Sequence, residues 1–259
     1  TPHHARTLHL LSADTFDLTR LGAWPTLEEL HLHGCSTVMT FTPYTGLSDL
    51  TQLRKVSVKN PGDGFEISTV SALHWLEELE ISGIAGFSDF SPLAQLVALK
   101  TLKAGACPDV VSLAGLERMT HLTELDLRRC ERLEEISSLA GTSALEILNL
   151  QSCKRVSDLS PLSHLTALRE LNLMSTSALT SLDLIKGATS LEVLNTRHCK
   201  TLEDLTALEH MPSLKTLMLE GCSKVTDFSA LGDLTQLKKL SLRRCKHFDD
   251  IDLIAGNPG

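Results

Sequence analysis

Leucines recur along this chain in one fixed arrangement, L-x-x-L-x-L, with polar residues at most of the intervening positions. Between the copies that begin at Leu53 and Leu237 every step is 23 residues, and the step that precedes them is 26 residues. A weaker copy, "ARTLHLL" (5–11), comes before these with Ala5 in place of the first leucine. The copies begin at Leu27, Leu53, Leu76, Leu99, Leu122, Leu145, Leu168, Leu191, Leu214 and Leu237. This constant spacing predicts a solenoid in which each repeat stacks on its neighbours.

Each repeat predicts one short strand followed by one turn. In "RELNLM" (169–174) apolar and polar residues alternate, which indicates a strand with one buried face. In the segment "SDLSPLSHL" (157–165), Ser160 can cap a helical turn and Pro161 can occupy its first position. Only fourteen residues separate the ninth position of a repeat from the next first leucine. We therefore expect one 3₁₀ or short α turn per repeat, on the convex side.

The repeat also carries a resemblance to a known architecture. The ninth position is commonly cysteine, and one convex segment reads "VSDLSPLSHLTAL" (156–168). This combination resembles the leucine-rich repeat over essentially the whole chain, with short cysteine-containing repeats similar to those of kinetoplastid proteins. The "LSPL" segment is also similar to internalins, and "GCSKVTD" (221–227) is similar to the cysteine-type repeats of F-box proteins. The resemblance implies an α/β solenoid, a horseshoe with a parallel concave β-sheet that recognises other proteins, and it transfers no catalytic residue.

We expect residues 1–259 to form a single solenoid of about eleven repeats, with 1–26 as an irregular first repeat and 27–259 as regular repeats. The chain begins with Thr1, part-way through a repeat, and the next repeat leucine would fall one residue after Gly259. We therefore expect the chain to be a segment of a longer protein whose natural N-terminus is missing.

All seven cysteines occupy the ninth position of their repeats, namely Cys35, Cys107, Cys130, Cys153, Cys199, Cys222 and Cys245. Disulfides between stacked repeats are possible in principle, but the side chains should point in parallel directions and the count is odd. Pro61 and Ile84, which cannot cross-link or ligate, occur at the same position. We predict a buried ladder of reduced cysteines that act as small apolar residues and weak donors. Reduced thiols in this number favour a reducing compartment, cytoplasmic or nuclear.

Three positions of each strand should point away from the core and form columns along the concave face, where a partner can select them. Asn149, Asn172 and Asn195 follow one another in the central column. Their amides could bond one another up the stack, or they could dock the polar backbone of a partner. Exposed apolar residues beside adaptable amides resemble an interface core. The apolar residues predicted to join this partner site are Ile147, Met174, Val193 and Met218.

Basic residues gather around the ninth position in the C-terminal half, and most acidic residues of that half lie at other positions. They are Arg128, Arg129, Arg132, Lys154, Arg155, Arg197, His198, Lys200, Lys224, Arg243, Arg244 and Lys246. We expect a basic stripe along one edge. It could be a solvated edge, a site for an acidic protein, or a site for RNA or another polyanion, although aromatic residues for base stacking are absent. Those assigned to the partner site are Arg128, Arg197, Arg243 and Arg244.

Candidate residues for catalysis are few. His9, His31 and His33 should lie together and could hold a metal, but ordinary surface histidines explain them as well. Aspartates recur before the convex turns, where caps are expected rather than catalysts: Asp158, Asp204, Asp227 and Asp250. The chain has no glycine-rich phosphate loop, no H-E-x-x-H and no G-x-S-x-G. We predict no enzymatic activity, no cofactor and no metal.

Composition narrows the function further. Aromatic residues make up 4% of the chain, so leucine must supply most of the core. The net charge of −8 disfavours non-specific binding to nucleic acid or an anionic membrane, and no apolar run approaches the roughly 18 residues of a membrane span. The sequence therefore predicts a non-enzymatic protein-interaction scaffold that binds a protein on its concave face. The alternatives are a substrate-recognition or regulatory arm of a larger enzyme complex and, third, an RNA- or polyanion-binding edge.

Overall fold

The computed structural model describes residues 4–12, 21–22, 24–35, 50–61, 65–249 and 252. Within these ranges, eleven strands form one parallel sheet and pair in the order in which they occur along the chain. They are β1 (Thr7–Leu11), β2 (Glu29–His33), β3 (Lys55–Lys59), β4 (Glu78–Ser82), β5 (Thr101–Lys103), β6 (Glu124–Asp126), β7 (Ile147–Asn149), β8 (Glu170–Asn172), β9 (Val193–Asn195), β10 (Thr216–Met218) and β11 (Lys239–Ser241). One strand per repeat confirms the predicted solenoid.

Strand pairing brings equivalent repeat positions side by side. Asn149 pairs with Asn172, and Asn172 pairs with Asn195. The long step between β2 and β3 keeps the same phase, because Leu30 pairs with Val56. The columns predicted along the sheet are therefore present.

Turns of 3₁₀ helix connect the strands and stack on one another. Those in the described residues are Ile67–Val70, Ser91–Leu93, Ser137–Gly141, Ser160–His164, Asp183–Ile185, Thr206–His210 and Ser229–Asp233. The residue that precedes the fourth turn is Leu159, which makes no side-chain cap, and Ser160 is the first residue of the turn, so the predicted cap by Ser160 is wrong; the Ser160 N–H instead donates to Asp158 Oδ1 at 2.8 Å. Asp204 and Asp227 act in the same way, whereas Asp250 lies outside the described residues.

The core is one continuous cluster that combines the repeated leucines of the first, fourth and sixth positions with the ninth-position cysteines and apolar residues of the convex side. In one repeat Leu122, Leu125 and Leu127 are all fully buried. Their side chains alternate with those of the concave face because successive residues of a strand point to opposite sides.

The eighth residue of each strand-bearing repeat adopts a left-handed backbone, with φ between 45° and 77°. These residues are Ser12, Gly34, Asn60, Gly83, Ala106, Arg129, Ser152, Ser175, His198, Gly221 and Arg244. The backbone ladder continues past the strands at this point, since the Arg129 N–H donates to the Gln151 carbonyl at 2.7 Å. The left-handed residue turns the chain inward, so that the ninth side chain enters the core.

The cysteines are all free, and all but the half-buried Cys245 are buried. From Cys130 onward each thiol donates to the carbonyl of the sixth residue in the preceding repeat, for example Cys130 to Ala104 at 3.1 Å and Cys199 to Leu173 at 3.0 Å. Thr176 occupies the same position and donates to Leu150 at 3.4 Å. Burial raises the pKa of Cys153 to about 12 and that of Cys222 to about 11. The predicted ladder of buried reduced cysteines is confirmed.

Candidate functional site

The central column of the concave face carries three consecutive asparagines on β7, β8 and β9. Pairing places Asp126 on one side of this row and Met218 on the other. Neighbouring strands lie about 4.8 Å apart, so the row presents one carboxamide per strand at that interval. All three asparagines are half-buried, with one face toward solvent. We call Asn149, Asn172 and Asn195 the amide strip.

The carbonyl end of each amide in the strip is fixed by the backbone. Its Oδ1 accepts the N–H two residues further along the chain: Gln151 to Asn149 at 3.0 Å, Met174 to Asn172 at 3.0 Å and Arg197 to Asn195 at 3.1 Å. This N–H lies where the strand ends and the chain begins to bend, so a side chain satisfies it.

These bonds determine what the strip offers to a partner. In the described part of the chain no hydrogen bond joins two of these amides, so the expected amide-to-amide bonding is not what the structure shows. With the carbonyl oxygen held by the backbone, each Nδ2 group keeps two protons to donate. The strip is therefore a row of oriented donors without partners among the described residues.

Apolar side chains flank the amide strip on both sides. Ile147 is 36% exposed, and Val193, Met174 and Met218 are half-buried. Ile147 and Val193 lie in the column before the strip with Glu170 between them. The structure thus brings the seven central residues of the predicted partner site onto one surface, on β7 to β10.

The N-terminal half of the concave face differs because its charges are paired within the face. The pairs are Lys55–Glu78 at 2.9 Å, Lys59–Glu80 at 2.8 Å and Lys103–Glu124 at 2.9 Å. Sequence reasoning missed this arrangement. The signal was available for Lys55 and Glu78, which carry opposite charges at the same position of adjacent repeats.

The arginines of the predicted partner site are dispersed. Arg128 forms a bidentate pair with Asp126 in its own repeat, which holds the guanidinium against the sheet and raises its pKa. Arg197 lies 3.7 Å from Glu220, and its buried Nε has no hydrogen-bond partner. Arg243 and Arg244 are exposed and follow β11, at the far end from Arg128. These four residues do not form one cluster with the amide strip.

The predicted basic stripe is offset by carboxylates of preceding repeats. The pairs are Arg132–Asp109 at 3.4 Å, Lys154–Glu131 at 2.9 Å, Arg155–Glu134 at 2.6 Å and Lys224–Glu203 at 2.6 Å. The expectation that acidic residues lie elsewhere is wrong at Glu131, which shares the tenth position with Lys154. Coils that stack about 5 Å apart bring such residues into contact. This neutralisation weighs against a continuous polyanion site.

The three histidines near the first strands do lie together. His9 stacks on His31 with ring centroids 4.3 Å apart, and His33 meets His31 edge-on at 5.9 Å. Burial and the nearby Lys59 lower the pKa of His33. No group of three or more histidine, cysteine or acidic residues suited to a metal occurs in the described ranges.

Ser57 lies next to the histidines, in contact with His33, but its hydrogen bonds do not suit a nucleophile. The Ser57 hydroxyl is 1% exposed and donates to Glu80 at 3.0 Å. Its 3.0 Å contact with His33 Nε2 must therefore be donated by the imidazole. A serine nucleophile needs the opposite polarity, with its proton directed to a base. This hydrogen-bond chain has no such polarity.

Comparison with solved structures gives the fold. The chain matches an internalin, InlF, from Listeria monocytogenes with a TM-score of 0.61 and 20% identity, over 98% of this chain and 84% of that one. It matches a leucine-rich repeat protein of Leptospira interrogans with a TM-score of 0.67 and 20% identity, over 93% and 67%. It also matches the leucine-rich repeat domain of the type III effector XopL with a TM-score of 0.61 and 24% identity, over 93% and 77%. The chain therefore has the leucine-rich repeat horseshoe fold that its sequence resembles.

No protein-family model matches the chain, and no curated protein matches it. The helices present in the described residues include none with the length and apolarity of a membrane span.

Proposed function

We propose that this chain is a non-enzymatic protein-interaction scaffold whose partner docks on the concave face of β7 to β10. The observation that carries the proposal is the amide strip: three donors oriented by backbone hydrogen bonds, left without partners within the described ranges, and flanked by apolar side chains. Nothing in the core requires these side chains, since the leucines on the opposite face of the strands supply the packing.

The strip has the two components from which a protein interface is built. Ile147, Val193, Met174 and Met218 supply apolar surface that gains free energy when water is removed from it. The fixed Nδ2 groups supply directional donors that cost little side-chain entropy on binding, because their rotamers are already held. A partner would present carbonyl, carboxamide or carboxylate oxygens between apolar contacts.

The alternative, a recognition or regulatory arm of a larger enzyme complex, would use the same face and is tested by the same experiment. The buried reduced cysteines support a cytoplasmic or nuclear setting, where thiols stay reduced.

The experiment is photo-cross-linking from the proposed surface in lysate, followed by capture with matched variants. A photoreactive amino acid at Met174 should cross-link a partner, whereas the same group at Leu184, on a 3₁₀ turn and 41% exposed, should not. The variant Asn172→Arg with Met218→Glu should lose that partner, because it places charges where apolar and amide contacts are needed.

The control carries the same pair of charges elsewhere, as Leu184→Arg with Val97→Glu, at two exposed apolar residues outside the sheet. It should retain the partner. Unchanged capture of every partner by the Asn172 and Met218 variant would show that the site is misplaced. Loss of capture caused by Arg243→Glu with Arg244→Glu alone, with a steep dependence on salt, would favour the polyanion edge instead.

A further inference from the structure

A cavity of about 270 Å³ opens on the concave side where β3 to β6 end. It lies in the charged half of the face, and its last strand, β6, borders the amide strip, since the lining residue Asp126 pairs with Asn149. Its lining residues are Lys59, Glu80, Ser82, Lys103, Gly105, Ala106, Asp126, Arg128 and Arg129.

Two small residues create this cavity. Ser82 and Gly105 occupy the seventh position of their repeats, between the long side chains of Lys59 and Arg128 at the same position. The Arg128 side chain lies over Gly105, where an added Cβ would be 3.1 Å from Arg128 Cγ. The cavity is therefore bordered by the cationic side chains of Lys59 and Arg128, and the two residues between them have little or no side chain.

The acceptors inside the cavity are already engaged. Both oxygens of Asp126 accept from Arg128 Nε, and Oδ1 also accepts the Arg128 N–H at 3.0 Å. Glu80 accepts from Lys59 through Oε1 and from Ser57 through Oε2. Burial by itself would raise the pKa of Glu80, but the hydrogen bonds from Lys59 and Ser57 and the charges of Lys59 and Lys103 together lower it, so this carboxylate stays ionised. No carboxylate oxygen that lines the cavity lacks a donor.

The donors, in contrast, have unused capacity. Lys59 and Lys103 each engage one carboxylate, which leaves further ammonium protons on both. Arg129 forms no ion pair within the described part of the chain and extends from a left-handed position at the rim. The four cationic side chains outnumber the three carboxylates that face them, which are the lining Glu80 and Asp126 and the Lys103 partner Glu124. The group that this cavity can satisfy must therefore be rich in acceptors and negatively charged.

We propose that this cavity is an anion-binding pocket that takes one carboxylate or phosphoryl group. Its volume of about 270 Å³ is many times the roughly 10–15 Å³ that one water molecule needs, so the group would arrive on a larger molecule rather than as a bare ion. The pocket adjoins the partner surface on β7 to β10 but shares none of the seven central residues of that surface, so either site can exist without the other.

The test uses the intact 259-residue chain labelled with ¹⁵N, titrated with inorganic phosphate and, separately, with acetate at constant ionic strength. Phosphate or acetate should shift the amide resonances of Gly105, Ala106 and Arg129 with saturation. The variant Arg129→Gln should raise the Kd about fivefold through loss of one charge-assisted contact at a partly exposed rim. The matched control is Arg244→Gln, which removes an exposed arginine from the same left-handed position of another repeat and should leave the Kd unchanged.

The proposed anion-binding pocket would be contradicted by resonance shifts that do not saturate. It would also be contradicted if Arg129→Gln and Arg244→Gln raised the Kd equally. The Asn172→Arg with Met218→Glu variant should still bind phosphate, so failure of the partner surface and failure of the pocket are distinguishable. If saturating phosphate also displaces a captured protein, the anionic group belongs to that protein. If phosphate binds without displacing it, the group belongs to a separate small molecule.

Discussion

At the scale of single residues, the ninth position of the repeat explains why cysteine recurs. Its side chain enters the core directly after a left-handed residue, where the space suits a small side chain and a donor can reach a carbonyl of the preceding coil. A thiol is small and can donate to that carbonyl, and the hydroxyl of Thr176 likewise donates to the Leu150 carbonyl. Asparagine recurs in the central column for a similar reason: its side-chain oxygen accepts a backbone N–H just after the strand ends.

The burial of the thiols predicts that most of them react slowly with thiol reagents in the native chain. In the native chain at pH 8, only Cys245, which is half-buried, should react rapidly with a thiol-specific chromogenic reagent. Burial raises the pKa of Cys199 to about 12, so very little reactive thiolate is present there. In guanidinium chloride all seven should react. Rapid reaction of most of them in the native chain would contradict the ladder.

At the scale of elements, each repeat is a strand of three to five residues and a convex turn, and neither can fold alone. The turns stack so closely that some positions exclude a Cβ. Gly115 has φ +101°, and an added Cβ would lie 2.3 Å from the Phe90 carbonyl oxygen. Gly86 also has a positive φ, +86°, but the space around its missing Cβ is empty.

This pair of glycines separates backbone strain from crowding. Gly86→Ala should lower the free energy of unfolding by about 1 kcal/mol through its unfavourable φ alone. Gly115→Ala should lower it by about 3 kcal/mol, because the Phe90 backbone must also move. Denaturant unfolding monitored by circular dichroism measures both. Equal losses for the two variants would show that the coils are not packed as closely as described.

At the scale of the whole molecule, every strand in the described residues contacts the next strand along the chain, and most of the 3₁₀ turns contact the next turn, so stability is local. The concave face accordingly has two zones along the sheet, one charged and internally paired on β3 to β6, the other uncharged and rich in donors along the amide strip. The two proposed sites lie in these different zones, which is why each can be tested without disturbing the other.

Because stability is local, the effect of a core substitution should spread only to the neighbouring repeats. Leu171→Ala, at a position that is 1% exposed, should lower the free energy of unfolding by about 3 kcal/mol. Hydrogen exchange should rise in β7 to β9 and change little in β2 to β4, because repeats contact only their neighbours. Val97→Ala, at an exposed position, is the control and should shift stability by less than about 0.5 kcal/mol. A uniform increase in exchange across the sheet would argue against local coupling.

The architecture could be predicted from the sequence because every repeat of a solenoid adopts the same local structure. Equal spacing of leucines determines which residues stack, so the register, the concave columns and the burial of Cys130 and Cys153 all follow from counting. The placement of Ile147, Asn172 and Met218 on one surface followed in the same way.

Side-chain partners did not follow from counting. Which atoms bond depends on where the chain bends and on distances of a few tenths of an ångström between adjacent coils. The tertiary structure alone decided that Asn149 bonds to its own backbone, that Lys154 is neutralised by Glu131, and that Gly105 opens a cavity below Arg128. Periodicity specifies neighbours one coil away, whereas hydrogen-bond direction and empty space are properties of the packed chain.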